Sequence, residues 1–170
     1  MKAFFLGVFL TLVAISFTAA FFIAGGHFYP GADAPVTSFE KALAKTALRA
    51  AIGRHEAEIG KPPVVDEKVI DAGMKVYQNQ CMGCHGSPGQ SSNDFAAALF
   101  PPAPQLIFHE LHMPDTRCFF MTKHGVRWTG MPAWAKMLSD DDIWRVCSFL
   151  KNLEHLPPAV DKDWKSGGDK

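Results

Sequence analysis

Cys81-Met82-Gly83-Cys84-His85 is the stretch that decides this chain. Two thiols two residues apart, with an imidazole directly after the second, form the attachment spacing for a c-type haem. The chemistry explains the spacing. Each sulfur adds to one vinyl group on the same edge of a porphyrin, and the next side chain is then delivered beneath the ring, where an imidazole nitrogen can reach iron. The macrocycle is apolar but carries two propionates. The remaining sequence should therefore supply a second axial ligand, an apolar wall and a few hydrogen-bond donors.

Working outward, the helix that delivers Cys81 should open at Asp66 and Glu67 and run to about Gln80, with Gly73 and Tyr77 one turn apart on its inner face. Its expected partner is the strongest amphipathic segment of the chain, Asp140 to Leu153. Ser139 caps that segment with Asp142 three residues on, and Ile143, Val146, Cys147, Leu150 and Leu153 share one face. The glycine would let the two helices cross closely. Between them lie a turn-rich loop (86–93), a short helical segment after Asp94, and Phe100-Pro101-Pro102-Ala103-Pro104, which cannot be regular helix. That proline segment is either a stiff surface loop or the source of a backbone carbonyl for the ring N–H of His85, and Pro102 at its centre is a candidate haem contact. A further helix should run from Pro114 to about His124 and stop at Gly125.

Candidates for the second axial ligand are His109, His112, Met113, Met121, His124, Met131 and Met137. Met131 stands out in Thr129-Gly130-Met131-Pro132-Ala133-Trp134, where glycine permits close backbone approach and proline stiffens the residues after the methionine. Met113 and Met121 read as core filler, Met137 lacks the stiff turn, and His124 would give bis-histidine ligation. Arg127, Trp128, Trp134 and His124 are candidate propionate donors, with Arg127 the leading one. Cys118 and Cys147 fall on two predicted helices with apolar neighbours. Buried free thiols are the commoner reading by residue type, and a disulfide requires Cα atoms within about 7 Å.

The N-terminus is of another kind. After Lys2 no charge occurs until Asp33, and Ala3–Ala24 is nearly all apolar. Such a run rises about 33 Å as a helix, against about 30 Å of hydrocarbon. It reads first as a transmembrane anchor, although Thr18-Ala19-Ala20 also offers a small-residue cleavage site for a signal peptide. A Gly/Pro-rich hinge comes next, in which Phe28 and Tyr29 suit a membrane boundary. From Thr37 a capping box with Glu40 opens a helix to about Ile59, with Lys41, Lys45 and Arg49 on one stripe and Phe39, Leu43 and Ala47 on another. The helix reads as an amphipathic spacer packed on the haem domain, or as a basic stripe for anionic headgroups or a partner. The organisation is thus 1–24 anchor, 25–63 hinge and spacer, 64–156 haem domain and 157–170 a loop-like, frayed tail. Lysine plus arginine equals aspartate plus glutamate at 17 each, which gives no field for nucleic acid and no lysine-rich docking face.

Residues Asp66–Leu153 resemble a class I c-type cytochrome, similar to the monohaem domains of membrane-anchored cytochrome subunits of respiratory complexes. The pieces that carry the resemblance are Gly73 to His85, Pro101-Pro102-Ala103-Pro104, Lys123-His124-Gly125, Thr129 to Trp134 and Ser139 to Leu150. The resemblance implies an all-α cytochrome c-like fold around one covalent haem c, Cys81 and Cys84 as thioether attachments, and His85 and Met131 as iron ligands. It also implies that the haem domain lies on the periplasmic side of the cytoplasmic membrane. The expected function is single-electron transfer between redox partner proteins, as a tethered carrier or a subunit of a membrane complex. A haem enzyme or gas sensor would require Met131 to leave the iron. A zinc module built on the same CxxC lacks a matched second pair.

Overall fold

Packing divides the chain into two units, Met1–Ala34 and Pro35–Lys170. The computed structural model describes residues 1–27, 30–108 and 113–167. His109, His112, Phe28 and Tyr29, singled out above, lie outside the described residues. All regular structure among the described residues is helical: α1 (Lys2–Ala24), α2 (Ser38–His55), α3 (Glu67–Gln80), α4 (Met82–His85), α5 (Asp94–Ala97), α6 (Asp115–His124), α7 (Asp140–Lys151) and α8 (Pro158–Ser166). Short 3-10 turns lie at Glu56–Glu58, Leu106–Phe108, Trp134–Lys136 and Leu153–His155.

In the first unit, α1 spans 23 residues, none of them buried within the chain. Among the described residues it is the one helix long and apolar enough to cross a membrane.

In the second unit, side-chain caps set where α2, α3 and α7 begin. The Thr37 hydroxyl accepts from the Glu40 amide while the Glu40 carboxylate accepts from the Thr37 amide, which completes the expected box at the start of α2. That contact holds the Glu40 carboxyl below the usual carboxylate range, with Thr37 as the main cause. Asp66 caps α3 through the Val69 amide at 2.8 Å, and Ser139 caps α7 through the Asp142 amide at 3.1 Å. α2 also packs on the rest of the unit. Ile52 is buried, His55 stacks on Phe120 with ring centroids 6.1 Å apart, and Ile59 joins the cluster of Phe119, Ile143 and Trp144.

The centre is the crossing of α3 and α7. A Cβ added at Gly73 would run into the Arg145 carbonyl and come within 2.9 Å of the Phe149 Cβ. Only a residue without a side chain allows the two backbones this close. Around the crossing lie Ile70, Met74, Tyr77, Val146, Phe149 and Leu150, all buried. The expected tail is corrected here, because residues 158–166 form α8 rather than loop. Pro158 suits the first helical turn, where its missing N–H costs nothing, and Val160 and Trp164, four apart, fall on one buried face. The Trp164 ring meets Tyr77 and Phe149 edge-on at 5.6 and 5.1 Å. The thiol reading is corrected as well. Cys118 of α6 and Cys147 of α7 are joined in a disulfide with Cα atoms 5.9 Å apart, both side chains buried.

Replacing Gly73 with Ala should destabilise the haem-loaded protein by about 1–3 kcal/mol in chemical denaturation, because backbone rather than a movable side chain blocks the methyl. Gly53→Ala on α2, where an added Cβ meets nothing within 4 Å, should instead stabilise by about 0.5–1 kcal/mol.

Candidate functional site

α3 ends at Cys81, and the chain turns directly into α4, so both thiols and His85 leave from the end of the crossed helix. The amides of Cys84 and His85 donate to the Cys81 carbonyl at 3.1 and 2.9 Å, which folds the five residues into a single turn. Cys81 is buried and Cys84 and His85 are half-buried, and neither Cys81 nor Cys84 is in a disulfide. Burial, aided by the neighbouring Cys84, pushes the Cys81 thiol up to about 12. The sulfur is thus held as an uncharged group in an apolar wall.

The Tyr77 hydroxyl donates to the Gly86 carbonyl at 2.9 Å, tying the residue after His85 back to α3. Burial drives the Tyr77 hydroxyl well above its ordinary pKa, so it remains a donor. Gly86 has φ 89°, a left-handed conformation, with Gln105 and Ile107 closing on it. Gln105 staples the loop after Gly86: its Oε1 accepts from the Ser92 amide at 2.7 Å and its Nε2 donates to the Ser92 hydroxyl at 2.6 Å.

His85 Nδ1 lies 2.7 Å from the Pro104 carbonyl. A carbonyl only accepts, so Nδ1 carries a proton, which in the neutral ring leaves the lone pair on Nε2. The proline-rich segment therefore does turn a carbonyl toward His85, but that carbonyl belongs to Pro104. Pro102 is exposed.

The Met131 turn comes after α6. Gly125 ends that helix with φ 67° and packs against the backbone of residues 131–133. The Met131 carbonyl accepts from the Val126 amide at 3.2 Å. The Thr129 hydroxyl donates to the Val126 carbonyl at 2.7 Å and accepts from the Met131 amide at 3.1 Å. Met131 is half-buried in this self-bonded turn, with the Leu99 side chain packed on Gly130. Among its rivals, Met137 is exposed, Met113 packs on the main core, Met121 is half-buried and His124 is exposed beside Phe120.

The candidate donors separate by exposure. Arg127 is exposed with its guanidinium 6.0 Å from the Trp128 ring centroid, and Trp128 is 87% exposed at φ 59°. Trp134 differs: its Nε1 is sealed from solvent and has no hydrogen-bond partner. Arg117 Nε on α6 shares that condition. Sequence reading passes over Arg117, whose signal is only a cation beside a run of buried helix positions, and over Gln105, which carries no sequence signal at all. Buried unpartnered donors are costly, and a carboxylate-bearing ligand would satisfy them. With an imidazole of the right tautomer, two unbonded thiols and a sealed donor, the residues fit a c-type haem. Among the described residues no three His, Cys, Asp or Glu side chains gather to hold a metal ion, so the zinc alternative has no ligand set there.

Residues 68–150 match the family described as cytochrome c oxidase, cbb3-type, subunit III. The chain is 32% identical over 89 residues to the cbb3-type cytochrome c oxidase subunit CcoP of Azospirillum brasilense, a match covering 52% of this chain and 30% of that protein. No solved structure matches the chain.

Tyr77→Phe should lower the stability of the haem-loaded protein by about 1–3 kcal/mol in chemical denaturation, because it leaves the Gly86 carbonyl without its donor.

Proposed function

We propose that this chain passes single electrons through one haem c, held by thioethers at Cys81 and Cys84 and ligated by His85 and Met131, a reading supported by the family match over residues 68–150. The observation that carries the reading is the bond from His85 Nδ1 to the Pro104 carbonyl. It fixes the tautomer in which Nε2 binds iron, and it raises the basicity of the ring.

When bound, the haem supplies a one-electron iron couple. His85 and Met131 would both hold the iron, which would leave substrates no place to bind on it. The thioether of Met131 would favour Fe(II) and so raise the potential. The sealed Trp134 Nε1 would donate to a propionate, and Arg127 would add a cation to hold it. Pro102 keeps the segment that carries the Pro104 carbonyl stiff. No residue acts as a catalyst on a substrate; the chain is an electron-transfer component.

The relative's printed name makes it a subunit of a cbb3-type oxidase. That name, with the apolar α1, supports a chain anchored at residues 1–24 that carries its haem domain, residues 64–156, across the hinge and spacer of 25–63. Lys2 at the start of α1 supports an orientation with the haem domain outside the cytoplasmic membrane. Its redox partners are other proteins of a membrane electron-transfer chain, met as a tethered carrier or within an oxidase complex.

Met131→Ala should abolish the sulfur-to-iron charge-transfer band of the oxidised protein and lower the midpoint potential in a redox titration, with the haem still covalently attached. Retention of the band would assign the sixth position to another residue.

A further inference from the structure

The Cys118–Cys147 bond takes no part in the electron-transfer chemistry, yet it closes a covalent ring around the segment that carries Met131. The ring runs from Cys118 on α6 to Cys147 on α7. Met131 sits near its middle, with Trp134 in the same segment. The hydrogen bonds of the Met131 turn run among Val126, Thr129 and Met131 themselves. They shape the turn without hydrogen-bonding it to a helix; Gly125 at the end of α6 packs on residues 131–133 and Leu99 packs on Gly130, and the turn's two ends are placed by α6 and α7.

Four links join those helices among the described residues. The Phe119 and Trp144 rings stack with centroids 4.3 Å apart. Lys123 Nζ pairs with Asp140 at 2.7 Å, and Lys151 Nζ pairs with Asp115 at 2.7 Å. Both ion pairs lie in reach of solvent, so those two links are weak and salt-sensitive. The fourth is the disulfide, the one link that thermal motion cannot open. α7 is in turn locked to α3 by the crossing at Gly73, and α3 leads directly into Cys81 and His85. The disulfide therefore completes a mechanical path from the Met131 turn to the His85 turn.

We propose that Cys118 and Cys147 are a positioning pair for the sixth ligand: by locking α6 to α7 they hold the Met131 turn in register with His85 and keep the iron closed to outside ligands. This inference rests on Met131 being the axial ligand. A thioether is a weak ligand for iron, so a modest gain in the freedom of its loop ends shifts the balance toward the open form. Packing alone would stabilise the fold without this selective effect on the ligand.

The test compares wild type, Met131→Ala and the double variant Cys118→Ala/Cys147→Ala as haem-loaded proteins. The charge-transfer band and the far-ultraviolet helical signal are tracked against temperature, and carbon monoxide is titrated into the reduced forms. In the double variant the band should disappear at temperatures where the helical signal is intact, and carbon monoxide affinity should rise at least tenfold over wild type. A variant that loses band and helix together, with wild-type resistance to carbon monoxide, makes the bond a structural staple and overturns the proposal, however far its melting point falls. Met131→Ala separates the two readings. If it keeps the band, the ligand assignment itself fails. If it loses the band while the double variant behaves as wild type, only the positioning role fails.

Should the double variant not accumulate, the wild-type protein serves instead. Ascorbate reduces the iron and leaves the disulfide intact. Excess dithiothreitol also converts the disulfide to two thiols, giving two electrons and two protons and closing to its own cyclic disulfide. With alkylation of both freed thiols confirming the reduction, carbon monoxide affinity at least tenfold higher under dithiothreitol, reversed on reoxidation, supports the proposal, and equal affinity contradicts it.

Discussion

The close approach of α3 and α7 at Gly73 is the constraint on which the rest depends. A single missing side chain lets the Arg145 carbonyl sit where a Cβ would stand. The contact is made dry by Tyr77, Phe149 and Trp164, whose rings meet pairwise at 5.1 to 5.6 Å. α3 therefore has a fixed exit, and the residues at that exit are Cys81 to His85. Tyr77 serves both purposes: its ring fills the crossing, while its hydroxyl holds the Gly86 carbonyl just past the imidazole. The chemistry of the motif and the packing of the core are coupled through one helix end.

A second layer of restraint acts on His85 from across the chain. The Pro104 carbonyl comes from a segment whose prolines prevent it from using its acceptors in a helix, so an acceptor remains for the ring N–H. On the Met131 side, Gly125 and the Thr129 hydroxyl build a turn that holds its own shape. The two halves of the candidate site are thus made rigid by different means, one by helix packing and one by local hydrogen bonds. The disulfide between α6 and α7 lies on the path that links them.

Much of this was legible in the residues. The caps at Thr37, Asp66 and Ser139, the helical periods and the Gly73 crossing are local or one-dimensional signals, and each expected helix of the haem domain lies within a few residues of its expected bounds. What sequence misses is set by three-dimensional neighbours. Val160 and Trp164 look like isolated apolar residues in a polar tail until the Tyr77–Phe149 surface is there to receive them. The pairing of Cys118 with Cys147 depends on the distance between two helices, which no spacing along the chain reports. Arg127 is the obvious donor by residue type, yet it is exposed, whereas the indole N–H of Trp134 is sealed without a partner. The proline segment could be assigned to His85, but only the folded backbone shows that Pro104 supplies the carbonyl.

The measurement that bears most directly on this reading is the mass of the proteolytic peptide containing Cys81 and Cys84, taken from protein matured in a cell that attaches haem to cytochromes. The expected result is a peptide heavier by one haem, with neither thiol open to alkylation. A peptide of unmodified mass, with both thiols alkylated, would contradict it.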